Sequence, residues 1–136
     1  MRPVYVLDTN AFIDLLAQRE DVTEGLDRAT EDDALMLLCP FVYYEMERGF
    51  RKLQQTENEQ RFLFLSRIMQ WQDLELSDRN LAAQFWARNE GIGRRKSDAD
   101  LVIAAFARNR NASVVTADVC GFESLPVMIE NWRVEG

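Results

Sequence analysis

The 136-residue sequence contains no histidine. This excludes Ser-His-Asp and Cys-His nucleophilic arrangements and the usual histidine-bearing zinc sites. Acid–base or metal chemistry then falls to carboxylates. Cysteine is scarce: Cys39 and Cys120 lie far apart, in apolar or small-residue surroundings. Without a secretion signal they are expected to be reduced thiols, not a disulfide framework. No apolar run approaches the ~20 residues needed to span a bilayer, so no membrane association is expected. The N-terminus enters a strand pattern directly, with no signal-peptide layout. Positive charge is also short: 16 Lys and Arg face 23 Asp and Glu, for a net charge of −7. Taken alone, that balance argues against a nucleic-acid partner. Internal repeats, low-complexity segments and linkers are absent.

What is present is enough apolar material for a core, 47% of the residues, in a length that suits one domain over 1–136. Val4 to Leu7 reads as a short strand buried on both faces. Thr9 or Asn10 can cap a following helix, with Phe12, Ile13, Leu15 and Leu16 on one side. Glu20 to Asp33 reads as a second, mostly exposed helix. Leu35 to Cys39 reads as a second buried strand, closed by Pro40. Residues 41–53 form a helix carrying Glu45. Phe62, Leu65, Ile68 and Met69 recur at helical intervals over 57–71. Ser77 or Asp78 starts a helix to about Asn89, with Leu81, Phe85 and Trp86 facing inward, and Gly91 and Gly93 break it. Leu74 to Leu76 is a possible short strand before it. Ser97 opens a helix with Asp100 three residues on, as in a capping box. Its segment "DLVIAAFA" is apolar nearly all round, so it should lie deep. Ser113 to Thr116 and Val127 to Glu130 read as further strands. Strands alternating with helices indicate a parallel α/β sheet.

Sites in such sheets form outside the carboxyl ends of the strands. Asp8 follows the first strand there, and Asp118 follows "SVVT". Glu45 lies about one and a half helical turns past the second strand. Asp100 lies in the first turn of the deep helix. Each acid also has a plainer reading: Asp8 as a helix cap, Glu45 as a solvated charge, Asp100 as partner of Ser97, Asp118 as a turn residue. If all four converge, their mutual repulsion would leave one protonated unless a divalent cation intervenes. Oxygen donors without histidine or thiolate favour Mg²⁺ or Mn²⁺, ions suited to phosphoryl chemistry.

The motifs also carry a resemblance. "VLDTNAFIDLL", "EMERG", "DADLVIAAFA", "VVTADVCGF" and "LPVMIENW" occur in order along the chain. Together they resemble the PIN-domain ribonucleases, and within them the VapC toxins of type II toxin–antitoxin modules. The resemblance implies a three-layer α/β sandwich, with a mostly parallel sheet of four to five strands flanked by helices. It implies that Asp8, Glu45, Asp100 and Asp118 form an acidic site for Mg²⁺ or Mn²⁺, supported by Asn10 and Thr116. The Ile-Ala-Ala register favours Asp100 as the ligand over Asp98. Two residues on a helix differ by roughly 200°, so Asp98 becomes a capping or outer residue. The implied activity is metal-dependent hydrolysis of RNA to 5′-phosphate and 3′-hydroxyl ends. The implied setting is a cytoplasmic bacterial or archaeal toxin, with a VapB-like antitoxin partner and a homodimeric state.

Two departures stand out. Gly121 occupies a position where the family often has an acid, and Pro126-Val127 replaces a proline-glycine pair. Phosphate contacts need local basic surface despite the acidic net charge. Arg48, Arg51 and Lys52 after Glu45, and Arg94, Arg95 and Lys96 before Asp100, are the candidates; solvated surface charge is their plainer reading. Two rival functions remain. A catalytically silent PIN-like module would bind RNA or protein alone. The "LDTN" stretch also resembles the opening motif of haloacid-dehalogenase-type phosphatases, but Asn10 stands where that motif needs a second aspartate.

Overall fold

A computed structural model describes residues 2–134. Met1, Glu135 and Gly136, the ends of the expected domain, lie outside the described residues. The chain runs through β1 (Val4–Leu7), α1 (Thr9–Leu16), α2 (Glu20–Glu31), β2 (Leu35–Leu38), α3 (Pro40–Leu53) and α4 (Thr56–Ser66). It continues through β3 (Gln70–Trp71), α5 (Leu76–Gly91), α6 (Asp98–Asn109), β4 (Ser113–Val115), a 3-10 turn (Val119–Phe122) and β5 (Met128–Glu130). The five strands form one parallel sheet in the order β3-β2-β1-β4-β5. This is the expected parallel α/β architecture. Among the described residues no helix is long and apolar enough to cross a membrane.

The central strand β1 is short and apolar because both faces are covered; Val6 and Leu7 are buried. The expected deep helix is α6, which buries Leu101 and every residue from Ile103 to Ala107. Ala104, Ala105, Phe106 and Ala107 are all fully buried there. On the α1 side, Phe62 of α4 is the hub: its ring meets Phe12 at 5.1 Å, and Tyr43 and Phe50 at 5.7 Å each. Burying such rings is the main favourable term holding α1, α3 and α4 together.

A C-terminal strap closes the fold. Trp132 lies over α2 so closely that a Cβ at Gly25 would sit 2.6 Å from its Cδ2. Arg133 then pairs with Asp14 through both carboxylate oxygens, at 2.8 and 2.7 Å. At the opposite side, Arg110 binds buried Asp78 at 2.8 and 2.9 Å, locking the end of α6 to the start of α5.

Several local expectations are corrected. The cap of α1 is Asp8, as the plainer reading of that residue had it, and not Thr9 or Asn10. Pro40 opens α3 at its first turn, where its missing N–H costs nothing. The helix expected over 57–71 ends at Ser66, leaving Ile68 exposed. The edge strand is Gln70–Trp71, not Leu74–Leu76. Helix α5 starts at Leu76, capped by Glu75 in a reciprocal box with Asp78. Its buried face is Ala82, Phe85 and Asn89, so Trp86 points outward and is half exposed.

Candidate functional site

Strand β1 sits mid-sheet, with β2 and β3 on one side and β4 and β5 on the other. The chain therefore switches direction between β1 and β4, and the crevice for a site opens at their carboxyl ends. Leu7 pairs with Val115 there, so Asp8 and Thr116 emerge side by side. The Asp8 N–H donates to Val115 O at 3.1 Å. The Asp8 carboxylate accepts from the Ala11 N–H at 3.0 Å and is hydrogen-bonded by the Thr116 hydroxyl. These bonds favour the charged form. Burial opposes them and wins, with help from the Asp100 charge, and pushes the Asp8 carboxyl up to about 6.

Glu45 projects from α3, whose core face holds Val42, Met46 and Phe50. Its Oε1 accepts from the Thr9 hydroxyl at 2.8 Å, and its Oε2 lies 3.6 Å from Arg48 Nη2. Because Asp8 takes the capping role, the Thr9 hydroxyl is left to hold Glu45. No local pattern in the sequence signals this bond across 36 positions. Asn10 is exposed and contributes its backbone N–H beside Asp8.

Asp100 sits in the first turn of α6, with its N–H bonded to the Ser97 hydroxyl at 3.1 Å. Burial raises its carboxyl, and the charges of Asp118 and Glu45 raise it further, against the Ser97 hydroxyl and the Lys96 ammonium. Asp98 faces elsewhere: with Ala82, Ala83, Trp86, Leu101 and Val102 it lines a groove of about 480 Å³ between α5 and α6.

Asp118 caps the 3-10 turn. Its N–H donates to Thr116 Oγ1 at 3.0 Å, and its Oδ1 accepts from the Gly121 N–H at 3.1 Å. Thr116 thus touches both Asp8 and Asp118. Asp118 Oδ2 faces Asp100 across Gly121: a Cβ at 121 would sit 2.6 Å from Asp118 Oδ2 and 3.0 Å from Asp100 Oδ2. The acid that the resemblance leads one to expect at this position has no room beside the two carboxylates as they stand. Having no Cβ, Gly121 lets both carboxylates pack against its backbone instead.

Of the six candidate basic residues, Arg48 and Lys96 reach the acids. Lys96 Nζ also donates to Cys120 O at 2.9 Å, which ties the 3-10 turn to the segment that leads into α6. Arg51, Arg94 and Arg95 pair with Glu47, Glu123 and Glu90 at 3.8, 3.7 and 3.1 Å. Lys52 lies exposed in the last turn of α3.

The donor set suits a hard divalent cation. It offers oxygen alone, one buried carboxylate whose charge is only partly compensated, and the Asp100 and Asp118 carboxylates meeting at Gly121. Among the described residues, no three acidic side chains already stand close enough to enclose an ion. Side-chain adjustment of Glu45 or Asp118 would accompany binding. Asp8, Glu45, Asp100 and Asp118 would hold such an ion.

Comparison with known proteins agrees with this architecture. No curated protein matches the chain. Among solved structures, VapBC2 of Rickettsia felis, bound to a promoter DNA fragment, contains a chain that superposes with a TM-score of 0.88 at 20% identity. It covers 96% of this chain and 99% of that one. DNA-bound VapBC of Salmonella typhimurium gives 0.86 at 24% identity, over 98% of this chain and 100% of that one. VapBC-5 of Mycobacterium tuberculosis, of the VapBC family of toxin–antitoxin systems, gives 0.69 at 23% identity, over 96% and 98%. These likenesses establish a shared fold. The sequence pattern of the PIN domain matches residues 5–124, and with nearly the whole chain so covered, the protein belongs to the PIN domain family.

Proposed function

We propose that the chain is a divalent-cation-dependent endoribonuclease and the toxin of a VapBC-type pair. The observation that carries the reading is the gathering of Asp8, Asp100 and Asp118 where β1 and β4 end, with Asp8 buried and pushed up to about 6. A site that concentrates negative charge at such electrostatic cost is built for a counter-ion. Bound there, Mg²⁺ or Mn²⁺ supplies activation of water and neutralisation of charge developing on phosphate oxygens.

The chain's own residues prepare that chemistry. Thr116 fixes Asp8 and the Asp118 backbone, Thr9 fixes Glu45, and Gly121, having no Cβ, lets the Asp100 and Asp118 carboxylates approach one another. Arg48 and Lys96 stand where a phosphate of the substrate would need cations. Hydrolysis forms a bond from water oxygen to phosphorus and breaks the bond to the 3′ oxygen, giving 5′-phosphate and 3′-hydroxyl ends.

The whole chain acts as one domain in this reading, cytoplasmic and homodimeric. The partner is a VapB-like antitoxin, supported by the VapBC complexes that share the fold. A groove of about 440 Å³ bordered by Leu15, Leu16, Leu26, Phe64 and Leu65 offers an apolar seat for an antitoxin segment. Phe64 is 71% exposed there, which is unfavourable for the free chain and corrected by a partner.

The test is Mn²⁺-dependent cleavage of RNA by the wild-type chain and by Asp8→Asn. Cleavage by the wild type alone is expected; equal activity in both would sink the reading. A silent binding module would show neither cleavage nor calorimetric uptake of Mn²⁺.

A further inference from the structure

One face of α3 is not explained by the fold. Val42, Met46 and Phe50 supply its core side. Tyr44, Arg48 and Lys52 recur every four residues on the outer side, and all three are exposed. Tyr44 is 55% exposed, so its ring contributes little to the core. It is nonetheless held in place: Phe41 meets it edge-on at 5.9 Å, and the Arg48 guanidinium lies 5.2 Å from its centroid. The same guanidinium lies 3.6 Å from Glu45 Oε2. A fixed, solvent-facing aromatic ring is thus joined through one arginine to an acid of the candidate site.

The geometry points to Tyr44 and Arg48 as a nucleotide subsite, in which Tyr44 stacks an unpaired base of the RNA and Arg48 engages an adjoining phosphate. This rests on the ribonuclease reading above and adds to it a stacking contact at Tyr44 that only an unpaired base can make. Bases inside a duplex are stacked on each other and offer no face to a protein ring. Lys52 extends the strip one turn further, about 6 Å along the axis, a step that suits successive phosphates of an extended strand. On a chain of net charge −7, this strip provides the local positive surface that a polyanion needs beside an acidic site.

The experiment measures binding by fluorescence anisotropy in the Asp8→Asn background, which prevents cleavage. The probes are a labelled single-stranded RNA oligonucleotide, a duplex of equal length, and an abasic oligomer of the same length and charge. Tyr44→Ala is expected to weaken binding of the intact single strand about tenfold, the scale of one lost base–aromatic stack. It should leave the abasic oligomer unaffected. Tyr44→Phe should restore the loss. Arg48→Ala should weaken both single strands and reduce the salt dependence by about one counter-ion.

Equal binding of the intact strand with and without the Tyr44→Ala substitution overturns the proposal, as does an equal loss on the abasic oligomer. A change in solution mass of Tyr44→Ala with RNA binding intact would assign the strip to a protein contact and also overturn it. Cleavage by the wild type is read separately. Its failure defeats the ribonuclease reading, whereas the stacking site is judged on binding alone.

Discussion

Asp8→Asn removes a buried charge and leaves a helix cap. Asparagine caps helices about as well as aspartate, and it retains an oxygen for the Ala11 N–H at 3.0 Å. Burial pushes the Asp8 carboxyl from 3.8 up to about 6. At about 1.36 kcal/mol for each unit of pKa, keeping it ionised near neutrality without a cation costs about 3 kcal/mol. The sign follows from linkage. The folded-state value lies above the unfolded one, so the folded protein holds the extra proton in between. The contribution of Asp8 to stability is therefore fully present below about pH 4 and is lost as pH rises through about 6. Asparagine suffers no such loss. Its amide must still be buried, and it gives up charge-assisted bonds, so the net gain is about 1–2 kcal/mol, roughly 3–8 °C in Tm. The assay is urea denaturation of both proteins in EDTA, at about pH 4.5 and about pH 7.5. The variant should be the more stable at the higher pH, with the gap closing at the lower. A variant no more stable than wild type at the higher pH, or a gap of equal size at both, would refute the electrostatic account of the site.

Gly121→Ala should displace the Asp118 carboxylate and weaken Mn²⁺ binding by at least about tenfold in calorimetry, with little change in the Tm of the cation-free protein. Thr9→Val keeps the shape of the side chain but removes the bond to Glu45. It should lower Mn²⁺-dependent cleavage by about tenfold, and unchanged cleavage would show that Glu45 needs no such support. Asp78→Ala removes the carboxylate that offsets the Arg110 charge, leaving its bonds to Gln72 and the Phe106 carbonyl, and should cost about 3–5 kcal/mol in denaturant unfolding. Burial alone would raise the Asp78 carboxyl, yet hydrogen bonds from Arg110, Asn109 and the Glu75 N–H outweigh it and hold it below its usual value. The stability this ion pair gives should hold above the unfolded aspartate value and fall away as pH drops through the folded one.

Much of the frame was legible because its signals are local. Strand β1 is four apolar residues set between Pro3 and Asp8, and α6 is apolar on nearly every side. What escaped depends on tertiary pairing. Strand β3 is only Gln70 and Trp71, held by partners Leu37 and Leu38 at the sheet edge, and two exposed residues carry no periodicity to detect. Trp86 was expected inside on hydrophobicity. It lies about 100° around the helix from Phe85, which takes the inward position beside α6. The positions of Asp8 and Asp118 past the ends of β1 and β4, with Thr116 between them, were legible from the strand pattern. The bonds of Thr9 to Glu45 and of Lys96 to Cys120 were not, because they join residues 36 and 24 apart. The capping of α1 by Asp8 turned on a single residue of register, and that shift is what frees Thr9 for Glu45.

The pairing of Leu7 with Val115 also governs when the site comes into being. On the ribosome β1 emerges first, but its neighbour β4 follows 108 residues later, roughly 5–20 s at typical elongation rates. Until then Asp8 has neither Thr116 nor Asp118 beside it. The crevice therefore cannot assemble until β4 and Asp118 have left the exit tunnel, long after β1 has been made.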